Sequence, residues 1–167
     1  VVVVDVGTDP SKPKLEGSYT SSTYLNGATG IAYDNSSGCV FVAAKNADRV
    51  TIVDVRSNSR VPSFIGSYES STYLLGAHGI VYDPSVLYVY VTAKVADRVT
   101  IIDVGTDPAN PSLVGSIKDS NFLNYALGVA HDLTNGYVYV AAAGCDCVTT
   151  IDVKTDPTKP RVVGSYN

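Results

Sequence analysis

Methionine, tryptophan and glutamine are absent from this 167-residue chain, and charged side chains make up only 17% of it. With 45% hydrophobic residues, the chain has neither the composition of a disordered segment nor that of a coiled coil. Because position 1 also lacks methionine, we expect a processed chain or a piece of a longer one. Methionine is readily oxidised to its sulfoxide, so its absence fits a protein exposed outside the cell.

Long apolar runs and basic clusters are also missing. The longest apolar stretches are about strand length, which excludes a transmembrane helix and predicts no membrane insertion. The net charge is −4, and there is no basic stripe of the kind that nucleic-acid binders carry, so nucleic acid is not expected as a partner. Residues Val1–Asp5 lack the basic start of a signal peptide.

The most informative feature that is present is a repeat of 49 residues without insertion or deletion. A Val/Ile-Asp-Val triplet returns at 4–6, 53–55, 102–104 and 151–153. A proline keeps the same spacing, at positions 13, 62, 111 and 160. A fixed period of this length indicates a tandem array of one supersecondary unit, whose copies must stack on each other to bury a core.

Each repeat contains four short segments rich in β-formers, separated by turn residues. In the repeat at 29–68 they are residues 30–34, 39–44, 49–55 and 64–68. No segment has helical periodicity long enough to compete with strands. Four short strands joined by tight turns make one antiparallel sheet. The sequence therefore predicts an all-β fold, a β-propeller made of four-stranded antiparallel blades.

The strand count predicts a propeller that is not closed. With strands lettered a to d from the central channel outward, residues 1–20 supply only c and d, and full blades lie at 29–68, 78–117 and 127–166. Residues 1–167 are thus one propeller domain or part of one. Propellers close with about four or more blades, so strand edges stay open to pairing. A dimer does not supply the missing a and b strands. We therefore expect a part of a longer chain, or edges that pair with neighbouring subunits.

Two known repeats resemble these residues across the whole chain. Residues 90–92 (Tyr-Val-Thr) beside 99–103 resemble the YVTN surface-layer propeller repeat, and residues 53–55 and 107–116 resemble the LVIVD repeat. The resemblance implies a propeller at the cell surface or in the extracellular space. It also implies that catalysis is not a general property of such proteins. The period of 49 is slightly long for these families, and the extra length follows the Gly-Ser-Tyr motif.

Three cysteines, Cys39, Cys145 and Cys147, are candidates for disulfides between molecules. Cys39 begins a b strand, whereas Cys145 and Cys147 flank a b–c turn on the opposite face, about 17–20 Å away. A disulfide needs Cα atoms within about 7 Å, so a bridge from Cys39 within the chain is disfavoured. Bridges between stacked molecules and unpaired, partly buried thiols both stay open. Cys-x-Cys without a nearby histidine is a weak metal site, and no metal is expected.

A ligand site is the main alternative to an architectural role. The loops between strands d and a carry Tyr24, Tyr73, His78 and Phe122, which we expect at the mouth of the central channel, where aromatic rings suit a sugar or other small ligand. His131 occupies a different slot from His78, so the two form no ring of ligands, and ordinary packing is the simpler interpretation. No Ser-His-Asp or Cys-His spacing is recognisable.

Two further patterns concern turns. Aspartates recur at the ends of strands a and c and in the b–c turn, as expected of side chains that bond to nearby backbone N–H groups. Asn35-Ser36-Ser37 is a glycosylation sequon on a predicted turn, which makes Asn35 a modification candidate in a secreted protein. Departures from the repeat gather in the last blade, at Cys145 and Cys147 among others, so its rim is a candidate contact surface.

These observations predict a non-enzymatic structural or interaction module that is extracellular or on the cell surface and needs no cofactor. We expect it to polymerise into a filament or larger ring through open strand edges and intermolecular disulfides. Its expected partners are copies of itself or other extracellular proteins. The alternatives are a ligand-binding or hydrolytic propeller with its site at the channel mouth, and a fragment of a larger surface-layer propeller.

Overall fold

The computed structural model describes residues 1–7 and 9–167, and within them fourteen strands form four antiparallel sheets. The strands are β1 (Val2–Asp5), β2 (Lys14–Ser18), β3 (Ala28–Asp34), β4 (Cys39–Ala44), β5 (Arg49–Asp54), β6 (Ser63–Glu69), β7 (Ala77–Asp83), β8 (Tyr88–Ala93), β9 (Arg98–Asp103), β10 (Ser112–Lys118), β11 (Ala126–Asp132), β12 (Tyr137–Ala142), β13 (Cys147–Asp152) and β14 (Arg161–Tyr166). One turn of 3-10 helix, Lys45–Ala47, lies between β4 and β5.

The predicted blades are confirmed. β3–β6 form blade 1, β7–β10 blade 2 and β11–β14 blade 3, each with its strands hydrogen-bonded in chain order. β1 and β2 form a two-stranded half-blade that matches strands c and d of the full blades. β7 packs beside both β3 and β11, so the first strand of each blade lies innermost, as the propeller prediction requires. No helix of the described ranges is long and apolar enough to cross a membrane.

The core consists of layers between successive blades rather than one centre. One apolar cluster joins blades 1 and 2 through residues such as Phe41 and Ile80, and another joins blades 2 and 3 through residues such as Ile101 and Val138. A smaller cluster joins the half-blade to blade 1. Because each blade covers its neighbour, the outward faces of the half-blade and of blade 3 have no cover within the described residues.

The glycine of the recurring Gly-Ser-Tyr motif marks a close approach of backbones. A Cβ on Gly66 in β6 would lie 2.3 Å from the Pro108 carbonyl oxygen of the next blade, and one on Gly115 would lie equally close to that of Pro157. The pairing between strands c and d shifts register beside these glycines. Strand d of one blade thus packs directly against the c–d loop of the next, which explains why no side chain fits there.

Candidate functional site

The recurring aspartates cap turns, as predicted. Asp83 at the end of β7 accepts the Ser85 N–H at 2.8 Å and the Ser85 hydroxyl at 2.6 Å. Burial raises the pKa of its blade 1 counterpart Asp34, but hydrogen bonds from Ser37 and Ser36 outweigh it, so the pKa of Asp34 falls to about 2. Both carboxylates therefore cap the turn that follows strand a. No three His, Cys, Asp or Glu side chains within residues 1–7 and 9–167 gather into a set that could hold a metal ion.

Tyr24 and Tyr73 do not lie at the channel mouth, which corrects that expectation. The Tyr24 ring stacks on Phe64 of the outermost strand β6, with centroids 4.3 Å apart, and the Arg49 guanidinium lies over it. Arg98 lies over Tyr73 in the same way. The d–a loop folds outward over strands c and d of the following blade, because its Tyr24 carbonyl accepts a hydrogen bond from the Thr51 hydroxyl. The rings are therefore held against the outer strands of the following blade.

The other two residues expected at the mouth of the central channel are Phe122 and His78. Phe122 occupies the same repeat position as Tyr24 and Tyr73, and its carbonyl accepts a hydrogen bond from the Thr149 hydroxyl. His78 lies half-buried at the start of the innermost strand β7, and its carbonyl accepts a hydrogen bond from the Thr29 hydroxyl. His78 is thus the only one of the four predicted residues that lies on an innermost strand, and its role as a channel contact stays a prediction.

The cysteines correct the expectation of bridges between molecules. Cys145 and Cys147 are bonded to each other across the b–c turn of blade 3, with Cα atoms 5.2 Å apart, so neither sulfur is free to reach a partner. Cys39 is a buried thiol without a disulfide partner in the chain, and a bridge from it to another molecule stays a prediction. Asn35 is exposed in the a–b turn of blade 1, and its glycosylation stays a prediction.

The disulfide replaces an interaction that the other blades share. In blades 1 and 2, an arginine at the start of strand c lies over a loop tyrosine, in the pairs Arg49–Tyr24 and Arg98–Tyr73. In blade 3 the same two slots hold Cys147 and Phe122, and the Cys147 sulfur lies 3.7 Å from the Phe122 carbonyl oxygen. Both the arginine and the tyrosine are therefore replaced in blade 3, and the disulfide across its b–c turn takes the place of the cation–π contact.

A cleft of about 200 Å³ opens between blades 1 and 2, at the end of the seam where the a–b turns lie. It serves as the reference for the equivalent cleft between blades 2 and 3. Phe41 packs on Tyr82 with ring centroids 4.9 Å apart, and the Tyr82 hydroxyl lies near the Asp34 carboxylate. Burial and the Asp34 charge raise the pKa of Tyr82 to about 12, so its hydroxyl stays protonated. Cys39 lines the same cleft.

The equivalent cleft between blades 2 and 3, of about 180 Å³, has different chemistry. Tyr90 stands where blade 1 has Phe41, and His131 stands where blade 2 has Tyr82, with ring centroids 4.8 Å apart. The Tyr90 hydroxyl donates to the Asp83 carboxylate at 3.3 Å. In this seam the hydroxyl beside the aspartate therefore belongs to Tyr90 on strand b, whereas in the other seam it belongs to Tyr82 on strand a. A repeat alignment shows this double change, but only the fold shows that the two residues touch.

His131 is left without a hydrogen-bond partner among the described residues, although its side chain is only 3% exposed. Its Nδ1 lies 3.6 Å from the nearer Asp83 oxygen, beyond hydrogen-bond distance. Burial lowers the pKa of His131 more than the Asp83 and Asp132 carboxylates raise it. An unsatisfied buried polar group costs about 1–3 kcal/mol. His131 packs on Tyr90, as the interpretation of ordinary packing expects, but its ring nitrogens have no hydrogen-bond partner among the described residues, which makes it a local weak point in the seam.

The fold and its seams define an array of β-propeller blades. A family model of the LVIVD repeat matches residues 1–21, 36–70, 87–119 and 129–167. The chain belongs to the LVIVD repeat family, which confirms the resemblance found in its sequence. No curated protein matches it.

Solved structures with the same architecture come from several bacteria. A putative 6-phosphogluconolactonase from Bacteroides fragilis matches with a TM-score of 0.75 and 12% identity, over 96% of this chain and 45% of that one. A functionally unknown protein from Desulfotomaculum acetoxidans matches with 0.70 and 17%, over 84% and 42%. A periplasmic gluconolactonase from Pseudomonas aeruginosa matches with 0.70 and 10%, over 83% and 39%. This chain thus spans less than half of each of these proteins.

These names contradict the prediction that the protein is not an enzyme. Two of the three structures are named as lactonases. The prediction was drawn from the lack of a nucleophile–base spacing along the sequence. Catalytic groups are brought together by the fold and need no fixed spacing. At 10–17% identity, the likeness itself shows the shared fold.

Proposed function

We propose that this chain is an assembling propeller module that works outside the cell as a structural and interaction unit. Copies of the chain associate head to tail, with the free face of blade 3 in one molecule covering the free face of the half-blade in the next. Such a heterologous contact generates closed rings when the rotation closes and filaments when it does not.

The observation that carries this proposal is a comparison of equivalent residues inside and at the ends of the array. Val148 on blade 3 is 48% exposed, whereas its counterpart Val99 on blade 2 is fully buried against blade 3. Val4 on the half-blade is 47% exposed, whereas its counterpart Val53 on blade 1 is fully buried. The end faces thus carry the same apolar side chains that form the internal seams, which supports contact with another blade of this kind.

An extracellular location is proposed on two grounds. The Cys145–Cys147 disulfide suits an oxidising compartment, and the chain has no methionine to lose to oxidation. Treating intact source cells with a protease, followed by detection with an antibody to this chain, tests the location. Cleavage on intact cells is expected, and protection until the cells are lysed would contradict it.

Sedimentation velocity over a range of concentrations tests the assembly. The unmodified chain is expected to associate, and Val148→Asp or Val4→Asp is expected to abolish association, because each places a charge in an apolar seam. Val61→Asp is the matched control, since Val61 is 66% exposed in a loop of blade 1 away from both end faces. A monomer at every concentration, or equal association of all variants, would contradict the proposal.

Lactone hydrolysis at the channel is a second candidate, favoured by the names of the similar structures. His78 is the ionisable side chain that we place there, since it lies on β7, the middle innermost strand. Acid release from δ-gluconolactone in a pH-stat is the assay. Activity that His78→Ala removes and His131→Tyr keeps would support this candidate, because His131 lies at the opposite end of its strand. No release above the spontaneous rate would dismiss it.

A further inference from the structure

We infer that the Cys145–Cys147 disulfide reacts with thiols, so that the b–c turn of blade 3 is a site of thiol–disulfide exchange. This activity goes beyond the proposed function and requires neither self-association nor the central channel. Its co-reactant is a thiol, carried either by a small molecule or by a cysteine of a polypeptide. Three features of the turn support the inference: the fold does not need the bond, one sulfur is within reach, and the reduced pair fits the same turn.

The same turn forms without a disulfide in the other two blades. Strands b and c begin their pairing at the same register in all three blades, with Ala142 opposite Cys147 in blade 3. An aspartate has a left-handed backbone in each turn, with φ of 45° at Asp48, 51° at Asp97 and 52° at Asp146. A disulfide that closes so short a loop also adds little stability, because the loop-closure entropy that it removes is small. The bond is therefore better explained by its chemistry than by a structural need.

The two cysteines differ in how well an attacking thiol can reach them. Cys147 is 6% exposed, whereas Cys145 is partly exposed. This difference does not depend on the free face of blade 3. The counterparts of Cys145, Ala47 and Ala96, are also partly exposed, although the next blade covers the apolar face of each of their blades. Cys145 is therefore the sulfur that a thiolate attacks, and Cys147 is the leaving group.

The exchange has two steps. A thiolate attacks the Cys145 sulfur, the bond to Cys147 breaks as a mixed disulfide forms at Cys145, and Cys147 leaves as a thiolate that takes up a proton. A second thiolate then attacks the reactant's sulfur in the mixed disulfide, and Cys145 leaves and takes up a proton in turn. Two thiols are oxidised to one disulfide, and the Cys145–Cys147 bond is reduced to two thiols. In the reverse direction, a reactant disulfide oxidises the pair again.

The reduced pair finds hydrogen-bond acceptors already in place. The Cys145 sulfur lies 3.4 Å from the Ala142 carbonyl oxygen, and the Cys147 sulfur lies 3.7 Å from the Phe122 carbonyl oxygen. A thiol S–H is a weak donor that a carbonyl oxygen accepts at such distances. Because each freed thiol has an acceptor nearby, reduction requires no rearrangement of the turn or of the d–a loop beside it. The turn therefore accommodates the oxidised and the reduced pair alike.

Trapping with glutathione disulfide tests which sulfur reacts. A Cys147→Ser chain is expected to form a mixed disulfide at Cys145, located by mass spectrometry of its peptides. A Cys145→Ala chain, which has the residue of the other two blades at this position, is expected to react at Cys147 about tenfold more slowly or less. Adding Cys39→Ser to either chain is the control and should leave both rates unchanged, because Cys39 lies in the cleft at the a–b turns. Equal rates at the two positions, or no adduct at Cys145, would overturn the inference.

Reduction of insulin by dithiothreitol, followed as turbidity, tests the activity of the unmodified chain. We expect the chain to accelerate this reduction about threefold or more over dithiothreitol alone, and Cys145→Ala to abolish the acceleration. An adduct at Cys145 without this acceleration would uphold the exchange site and identify small thiols as its reactants. Neither measurement depends on self-association, so a chain that stays monomeric would reject the proposed assembly and leave this inference standing.

Discussion

At the scale of single residues, the repeat supplies its own controls, because each slot is filled several times. His131 stands in a slot that holds tyrosine in the two preceding blades, and Tyr90 stands in a slot that holds phenylalanine in blade 1. The two changes together keep the ring packing and the aspartate cap, but they leave an imidazole buried without a hydrogen-bond partner among the described residues. The seam between blades 2 and 3 therefore contains a group that water would stabilise and the fold does not.

This predicts that stability depends on pH through His131. Its pKa is lowered in the folded chain by burial, so the unfolded chain binds a proton first as the pH falls below about 6.5. The stabilisation from a neutral His131 is fully present above that value and is lost as the pH falls toward the lowered pKa. Urea unfolding between pH 5 and 8 measures it. His131→Tyr should remove this part of the slope, and an identical slope in the variant would refute the assignment.

The Cys145–Cys147 bond gives a second residue-scale prediction. It closes a very short loop, so replacing both residues by serine should lower the free energy of unfolding by only about 1–2 kcal/mol. Because the bond is internal to one turn, sedimentation of the double variant should equal that of the parent chain. A loss of assembly on reduction would instead show that the sulfurs link molecules.

At the scale of elements, strand order and blade boundaries follow from the sequence because each strand is short, β-rich and bounded by turn residues in every copy. The recurring aspartates are equally predictable, since Asx turns depend on neighbouring backbone. The position of Tyr24 does not follow from the sequence, because it depends on how a loop folds over the next blade, where the ring contacts Phe64 and Arg49. The pairing of Cys145 with Cys147 depends on the shape of one turn, which spacing alone does not fix.

The close approach of neighbouring blades gives an element-scale prediction. Gly66→Ala places a methyl group 2.3 Å from the Pro108 carbonyl oxygen, so the blades must separate, at a cost of about 1–3 kcal/mol. Gly164 is the same motif position in blade 3 and has nothing within 4 Å of its would-be Cβ. Gly164→Ala should therefore be close to neutral in thermal unfolding of the unassembled chain. Equal effects would show that the approach is not tight.

At the scale of the whole molecule, the chain is a row of similar layers whose stability depends on coverage by neighbours. Internal seams are filled by apolar side chains, and the two end faces offer the same side chains to solvent. The similar solved structures are more than twice as long as the part this chain matches. Coverage of the two end faces by blades of the same kind is therefore the central expectation.

Electron microscopy of the concentrated chain, with and without reductant, tests this most directly. Closed rings or head-to-tail filaments built from blades are expected, unchanged by reductant because the Cys145–Cys147 bond lies within one turn. Separate open particles of three and a half blades at every concentration would contradict it.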